Sequence, residues 1–378
     1  MSDGSLPPAP QTSWQTWETE WLVPAAWRKE EGIDGWYVYN PTLAWVENHY
    51  VMLYRVVRSS RLRIAACRLD AQLHLIPDSV VPFSDTINGV KESIGDPRVF
   101  FFHGRLFASY SHYPLPSTLH LVEMDVAQLR AATAARPLLF EHRQRKERNW
   151  TCFQYAADLY AIYSISPHVV LRLDLSQPHV ITCEQVYRVT WDAERFIRKY
   201  GPMRGGAAPI LTGDAYSVFF HSTQSAVAPL RYYRTARQWL QSHLPRRIPD
   251  KQAKTGLAGH DAISQLSTHP SFWEKVRAQL TARTYIGGFY RFAARPPFEP
   301  LDFVPQPILA PTKGEARSKQ VGLIPKNWHV VYPGGASPTR DGRWVVAYGL
   351  NDERCCARVL DQTEIMGSSV TARMISDE

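Results

Sequence analysis

Apolar and polar positions alternate along this chain in paired runs, each broken by a tight turn, and the same outline returns five times. The runs are "NPTLAWVENHYVMLYRVVRSS" from Asn40, "DPRVFFFHGRLFASYSHY" from Asp96, "NWTCFQYAADLYAIYSISP" from Asn149, "GAAPILTGDAYSVFFHST" from Gly206 and "GGASPTRDGRWVVAYGLND" from Gly334. Each has a polar or small start, a strand, a turn rich in Gly, Asp or Asn, and a second strand. That second strand carries an aromatic residue just past the turn: Tyr54, Tyr110, Tyr163, Phe219 and Tyr348. Period-two alternation bounded by such turns predicts β-hairpins. The first four starts are 56, 53 and 57 residues apart. Strand-like runs such as "RLRIAACRLD" and "HVVLRLDL" lie between the hairpins and bring each unit to four strands. Five four-stranded units at even spacing predict an all-β, five-bladed β-propeller. A sandwich of unrelated hairpins is the alternative, and it does not account for the spacing.

The fifth step, from Gly206 to Gly334, is 128 residues, so something is inserted. Leu230, Tyr233, Leu240 and Leu244 follow a roughly helical period, and Ser271 with Glu274 forms a capping box ahead of Phe272, Val276 and Leu280. The expected organisation is a disordered lead-in over 1–13, a propeller over 14–226 and 284–365, a helical insertion in the fourth blade over 227–283, and a tail over 366–378.

Composition alters this picture in one place. The net charge is +8, and residues 231–319 alone hold 15 Lys/Arg against 6 Asp/Glu. The excess is therefore local, a basic insertion on a near-neutral body, which is ordinarily a solvated face and could also steer an anionic substrate or a phosphate-bearing partner. No aromatic-and-basic nucleic-acid module is visible, so no nucleic-acid partner is expected. No apolar run is long enough to span a bilayer, and the first residues lack the pattern of a signal peptide. The five cysteines, Cys67, Cys152, Cys183, Cys355 and Cys356, have no metal-type spacing. Reduced thiols and a cytoplasmic location are expected, with no metal site.

In a propeller the innermost strands line one channel, and residues at their entrances share a funnel. Asn40, Asp96, Arg148, Asn149, Arg204 and Asp352 stand at such entrances. Asn-Pro and Asp-Pro taken alone are ordinary turn starters; in register these residues can build a site.

These motifs resemble the five-bladed propellers of glycoside hydrolase family 130, the β-mannoside phosphorylases, and the related trypanosomatid mannosyltransferase/phosphorylases. The carriers are "NPTLAWVENHYVMLYR", "GDPRVFFFHGRLFASYS", "KERNWTCF", "RGGAAPILTGDAYSVFFHS", "ARPPFEPLDFVPQPIL" and "VVAYGLND". The likeness runs from about Trp36 to Leu360 outside the insertion. It implies a carbohydrate-active enzyme on β-mannosides, working by inverting phosphorolysis or its synthetic reverse with mannose 1-phosphate. A mannosyltransferase with a nucleotide-activated donor and a non-catalytic carbohydrate-binding propeller are the alternatives. The resemblance implies Asp96 as the general acid, since a glycosidic bond needs a carboxyl group near the leaving oxygen. It implies that Asn40, Arg55 and Asp352 bond the sugar. Arg98, two residues past Asp96 and grouped with these substrate-binding candidates, either holds Asp96 ionised through a salt bridge or braces the blade. Tyr113, Trp150, Tyr285 and Phe289 are candidate sugar platforms. Arg148, Asn149 and His221 match a phosphate site. That site's second basic position reads Tyr163-Ser164-Ile165 here, and Arg204 or the insertion would have to replace it. The expected partners are a mannoside or oligosaccharide. No cofactor is expected beyond inorganic phosphate as co-substrate.

Overall fold

The computed structural model describes residues 6–32, 34–88, 92–113, 116–143, 148–225, 283–311 and 327–375. The chain is mostly β-sheet, and its strands fall into consecutive antiparallel groups. The first holds β2 (Trp36–Val46), β3 (His49–Arg58) and β4 (Arg61–Leu69), and β1 (Trp14–Trp17) precedes it. The second holds β5 (Ile94–Phe102), β6 (Arg105–His112), β7 (Thr118–Asp125), the short β8 (Arg130–Ala131) and β9 (Arg136–Phe140). The third is β10 (Thr151–Tyr155), β11 (Asp158–Ser164), β12 (His168–Asp174) and β13 (Ile181–Val189). The fourth is β14 (Met203–Gly205), β15 (Ile210–Thr212), β16 (Ala215–Ser225), β17 (Arg283–Ala293) and β18 (Pro300–Phe303). The last is β19 (Asn327–Pro338), β20 (Trp344–Leu350) and β21 (Arg354–Leu360), followed by β22 (Val370–Thr371).

The order is cyclic. β1 pairs with β21, so a strand from the start of the chain completes the group made near its end. β19 packs on β2, β2 on β5, β5 on β10, β14 on β11, and β16 on β19. The core repeats the same cycle. β3 sends Tyr50, Met52, Tyr54 and Val56 into one cluster with Val345 and Ala347 of the last group. Its intervening residues Val51 and Leu53 join Val99, Leu106 and Ala108 of the second group in another. Further clusters join the second group to the third, the third to the fourth, and the fourth to the last. Strands buried on both faces keep period two in direction while losing it in hydrophobicity, which is why β20 is buried throughout. The result is a propeller-like ring with its apolar area between neighbouring groups rather than along the axis.

Residues 6–13, expected as a lead-in, are held against the body: the Arg340 N–H donates to the Pro7 carbonyl at 2.9 Å, and the Gln11 N–H to Gln72 Oε1 at 2.8 Å. Part of the expected tail is likewise paired, with β22 alongside β18. The chain leaves β16 at Ser225 and re-enters β17 at Arg283, directly opposite. The helical insertion expected over 227–283 lies outside the described residues except for Arg283. Among the described residues no helix is long and apolar enough to cross a membrane.

Candidate active site

Three innermost strands are interrupted by a register shift. The β2–β3 register shifts between Tyr39 and Thr42, the β5–β6 register between Gly95 and Arg98, and the β19–β20 register between Pro333 and Gly335. Asn40-Pro41 and Asp96-Pro97 fill the first two breaks, and in the third Tyr332-Pro333 stands just before the skipped Gly334. Proline has no N–H to give the ladder, so a bulge is where it fits. Asn40 and Asp96 adopt φ of 53° and 52°, and Asn149, just before β10, has φ of 68°. Asn and Asp are the non-glycine residues that tolerate this left-handed region best. The bulges turn these side chains out of the pleat toward one another.

Asp96 is the centre of the cluster. Its Oδ1 accepts from Asn40 Nδ2 at 2.9 Å and from Arg55 Nη1 at 3.3 Å, and its Oδ2 accepts from the Tyr113 hydroxyl. Burial pushes the carboxyl up, but Arg55, Tyr113, Arg98 and Asn40 outweigh it and hold Asp96 below the usual aspartate range. Burial works against the Arg55 charge, yet Tyr113, Tyr39, Asp96 and Asp352 keep it firmly protonated. Gly95 makes this pair feasible. A Cβ there would lie 3.0 Å from Arg55 Cδ, so a side chain would crowd the Arg55 stem that carries the guanidinium to Asp96.

Arg98 has another task. It is wholly buried, at 0% exposure. Nε donates to the Gly206 carbonyl at 2.8 Å, Nη1 to the Asp96 carbonyl at 3.2 Å, and Nη2 to Asn149 Oδ1 at 3.0 Å and the Gly205 carbonyl at 3.3 Å. Nη2 also donates to the Tyr332 hydroxyl, which in turn donates to Asn149 Oδ1 at 3.1 Å. As a substrate contact Arg98 is therefore corrected to a brace: every nitrogen is occupied by the protein, and the bonds tie the second group to the start of the third and fourth. The same bonds fix the Asn149 amide. Its oxygen is turned inward, which leaves its NH₂ as the group it can offer a ligand.

His221 faces this knot from β16. Its ring lies 4.5 Å from that of Tyr332 and stacks with Tyr285 at 5.9 Å. Burial, with Arg98 and Arg204 nearby, pushes its pKa down to about 3, so it is neutral at pH 7. Arg148 and Arg204 are exposed, and the Arg148 guanidinium carbon sits 4.5 Å from the centre of the Tyr113 ring. Asp352 is close enough to Arg55 to reinforce its charge.

The sequence-based set thus divides. Asn40, Arg55, Asp96, Tyr113, Arg148 and Asp352 come together around one carboxylate, and Arg98, Asn149, Arg204, His221 and Tyr285 around the neighbouring knot. Trp150 does not belong: it is 2% exposed and packs edge-on against Phe140 and Tyr163 in the core. Phe289 is equally buried, against Phe219. Neither offers a face to a sugar. Tyr332 was missed by sequence reasoning. The signal was partial: like Asn40-Pro41 and Asp96-Pro97, Tyr332-Pro333 is an X-Pro pair beside a register shift, but here the shift falls at Gly334, one residue past the pair.

Against solved structures, the chain is similar to a candidate glycoside hydrolase from Bacteroides ovatus, at 13% identity and a TM-score of 0.53 over 97% of this chain and 98% of that one. A GDP-Man-dependent mannosyltransferase from Leishmania mexicana aligns at 10% identity and a TM-score of 0.46 over 92% of each chain. A mannose phosphorylase from the same organism, in complex with phosphate, aligns at 12% identity and 0.41 over 92% of this chain and 89% of that one. No family model matches the chain, and no curated protein sequence does. What the Bacteroides protein and this chain share is the fold.

Proposed function

We propose that this protein is a carbohydrate-active enzyme that cleaves or makes a β-mannosidic bond with inversion, by phosphorolysis or by its synthetic reverse from mannose 1-phosphate. On this reading each strand group is one blade of a five-bladed propeller over 14–226 and 284–365, with 227–283 inserted, working in the cytoplasm without a cofactor. The observation that carries the reading is Asp96: a carboxylate on a left-handed bulge, at the head of an innermost strand, held by Asn40, Arg55 and Tyr113. The motif resemblance and the fold shared with a candidate glycoside hydrolase support it.

The chemistry follows from the protonation state. Asp96 rests ionised, which suits the synthetic direction: it takes the proton of an acceptor hydroxyl as that oxygen bonds to the anomeric carbon and phosphate departs. In cleavage a phosphate oxygen attacks the anomeric carbon from the opposite face. The glycosidic C–O bond breaks, and the leaving oxygen receives a proton that Asp96 must first acquire, relayed by a sugar hydroxyl. Phosphate needs about two charge-assisted partners to offset its desolvation. Arg98 is consumed and His221 is neutral, so among the described residues Arg148, Arg204 and the Asn149 NH₂ are the groups for it. An ionised Asp96 equally favours a second reading, transfer of mannose from a nucleotide-activated donor to a hydroxyl.

The test is formation of mannose 1-phosphate from a β-mannoside with and without inorganic phosphate. Product that depends on phosphate supports phosphorolysis; product from a nucleotide donor alone moves the assignment to transfer. Asp96→Asn should lower turnover by about 10²- to 10⁴-fold in either case. Full activity in that variant would overturn the role given to Asp96.

A further inference from the structure

Asp96 has about four acceptor positions on its two oxygens. Both on Oδ1 are used, by Asn40 and Arg55. Oδ2 accepts the Tyr113 hydroxyl alone among the described residues. A sugar hydroxyl approaching the carboxylate therefore finds Oδ2 with one position remaining, beside the Tyr113 oxygen. The Tyr113 ring is not open in the same way. Arg55 lies 5.0 Å and Arg148 4.5 Å from its centre, so cations cover the π-surface a sugar would stack on.

We propose that Tyr113 is a positioning residue for the acid–base group: its hydroxyl, not its ring, serves the site, by holding Asp96 Oδ2 as the oxygen that exchanges the proton with a sugar hydroxyl. This rests on the reading of Asp96 as the acid–base residue. Tyr113 stays a donor throughout, because burial and the Asp96 charge push its phenol well above the usual range. Other elements also face the carboxylate: Asn40 from β2, Arg55 from β3 and Arg98 from β5, while His221 on β16 and Tyr332 on β19 lie within its field. Asp352 beside Arg55 and Arg148 over Tyr113 complete the charged surroundings. Tyr113 is the member of this set that touches Oδ2.

Tyr113→Phe keeps the ring under both arginines and removes the donor. The Asp96 carboxyl is titrated directly in the full-length protein by infrared difference spectroscopy, with Asp96→Asn identifying its band. A hydrogen bond to a charged group is of a size to move the midpoint upward by roughly one to two pH units. The limb of the kcat/KM profile governed by Asp96 should move by the same amount, with KM for the sugar little changed. An unmoved midpoint overturns the proposal, as does lost sugar binding without a shift, which is the behaviour of a stacking platform. Fluorotyrosine at position 113 keeps fold and hydroxyl while strengthening the donor, and must lower the midpoint further. If no mannoside is turned over, the functional reading fails, while the carboxyl titration still decides the role of Tyr113.

Discussion

Arg98→Met tests whether the ring is braced from its centre. Methionine keeps most of the stem volume and removes every donor. Three backbone carbonyls, of Asp96, Gly205 and Gly206, lose a charged partner at 3.2, 3.3 and 2.8 Å. Asn149 Oδ1 loses one at 3.0 Å and keeps Tyr332 at 3.1 Å. Each charge-assisted bond is worth about 1.5–3 kcal/mol, so the gross loss is large. Set against it is relief from keeping a cation out of water, itself several kcal/mol. Removing one partner from such a buried arrangement costs a net ~3–5 kcal/mol. That is a fifth or more of the ~5–15 kcal/mol typical of folded proteins. The assay is urea unfolding followed by tryptophan fluorescence, with mannoside affinity measured on the folded variant. Arg98→Lys, with one nitrogen, should fall between the two. A loss below ~1 kcal/mol together with weakened sugar binding would refute the brace and return Arg98 to the substrate.

Trp150→Ala should cost ~3–5 kcal/mol through the cavity it leaves among Phe140 and Tyr163, with mannoside affinity retained; a stable variant that no longer binds sugar would restore Trp150 as a platform. The buried His221 and His168, both pushed down to about 3 from 6.5, give stability a pH slope. Below pH 6.5 the unfolded chain takes up protons that the folded one refuses, so stability present above that pH is lost as it falls toward 3. Chemical denaturation across that window should show the slope, and His221→Gln should flatten it; an unchanged slope would mean His221 titrates freely in the fold.

Much of the architecture was legible because it is repetitive. Strands buried on both faces, punctuated by tight turns at near-equal steps, leave a periodic trace whatever the tertiary contacts. The outer strands blur this trace, as in β13, where exposed and half-buried positions dominate. The site was legible where backbone geometry demanded a residue type: Asn40 and Asp96 stand where a left-handed bulge precedes proline. It was not legible where a role depends on which face of a strand meets which neighbour. Trp150 and Tyr113 are both aromatic residues near an innermost strand. One turns into the apolar cluster between groups, and the other offers its hydroxyl to Asp96. Nothing in their local sequence separates them. Arg98 is the same case: two residues from Asp96 it reads as a site cation, and only the backbone carbonyls across the axis reveal its partners.

The cations of the site differ in what they have left to offer, and on the proposed function this sets how phosphate would bind. Arg55 is matched by Asp96, Asp352 and two tyrosines, and Arg98 by carbonyls, Asn149 and Tyr332. Pulling either toward a phosphate would strand buried partners at a cost of ~1–3 kcal/mol for each group left unpaired. Arg148 and Arg204 are exposed and can turn to a ligand without stranding a buried partner, Arg148 at the cost of its contact with the Tyr113 ring. Exposed charges are screened by salt, with a Debye length of about 10 Å at 0.1 M. Phosphate affinity should therefore fall as ionic strength rises, while the affinity for a neutral mannoside should barely change. Arg148→Gln and Arg204→Gln should each weaken phosphate binding by roughly 10- to 100-fold, the worth of one charge-assisted bond, and leave Asp96→Asn-type defects absent in the sugar subsite. Isothermal titration of phosphate at low and high salt measures both effects. Salt-independent phosphate binding that survives both substitutions would place the anion on the buried arginines and overturn this division of charge.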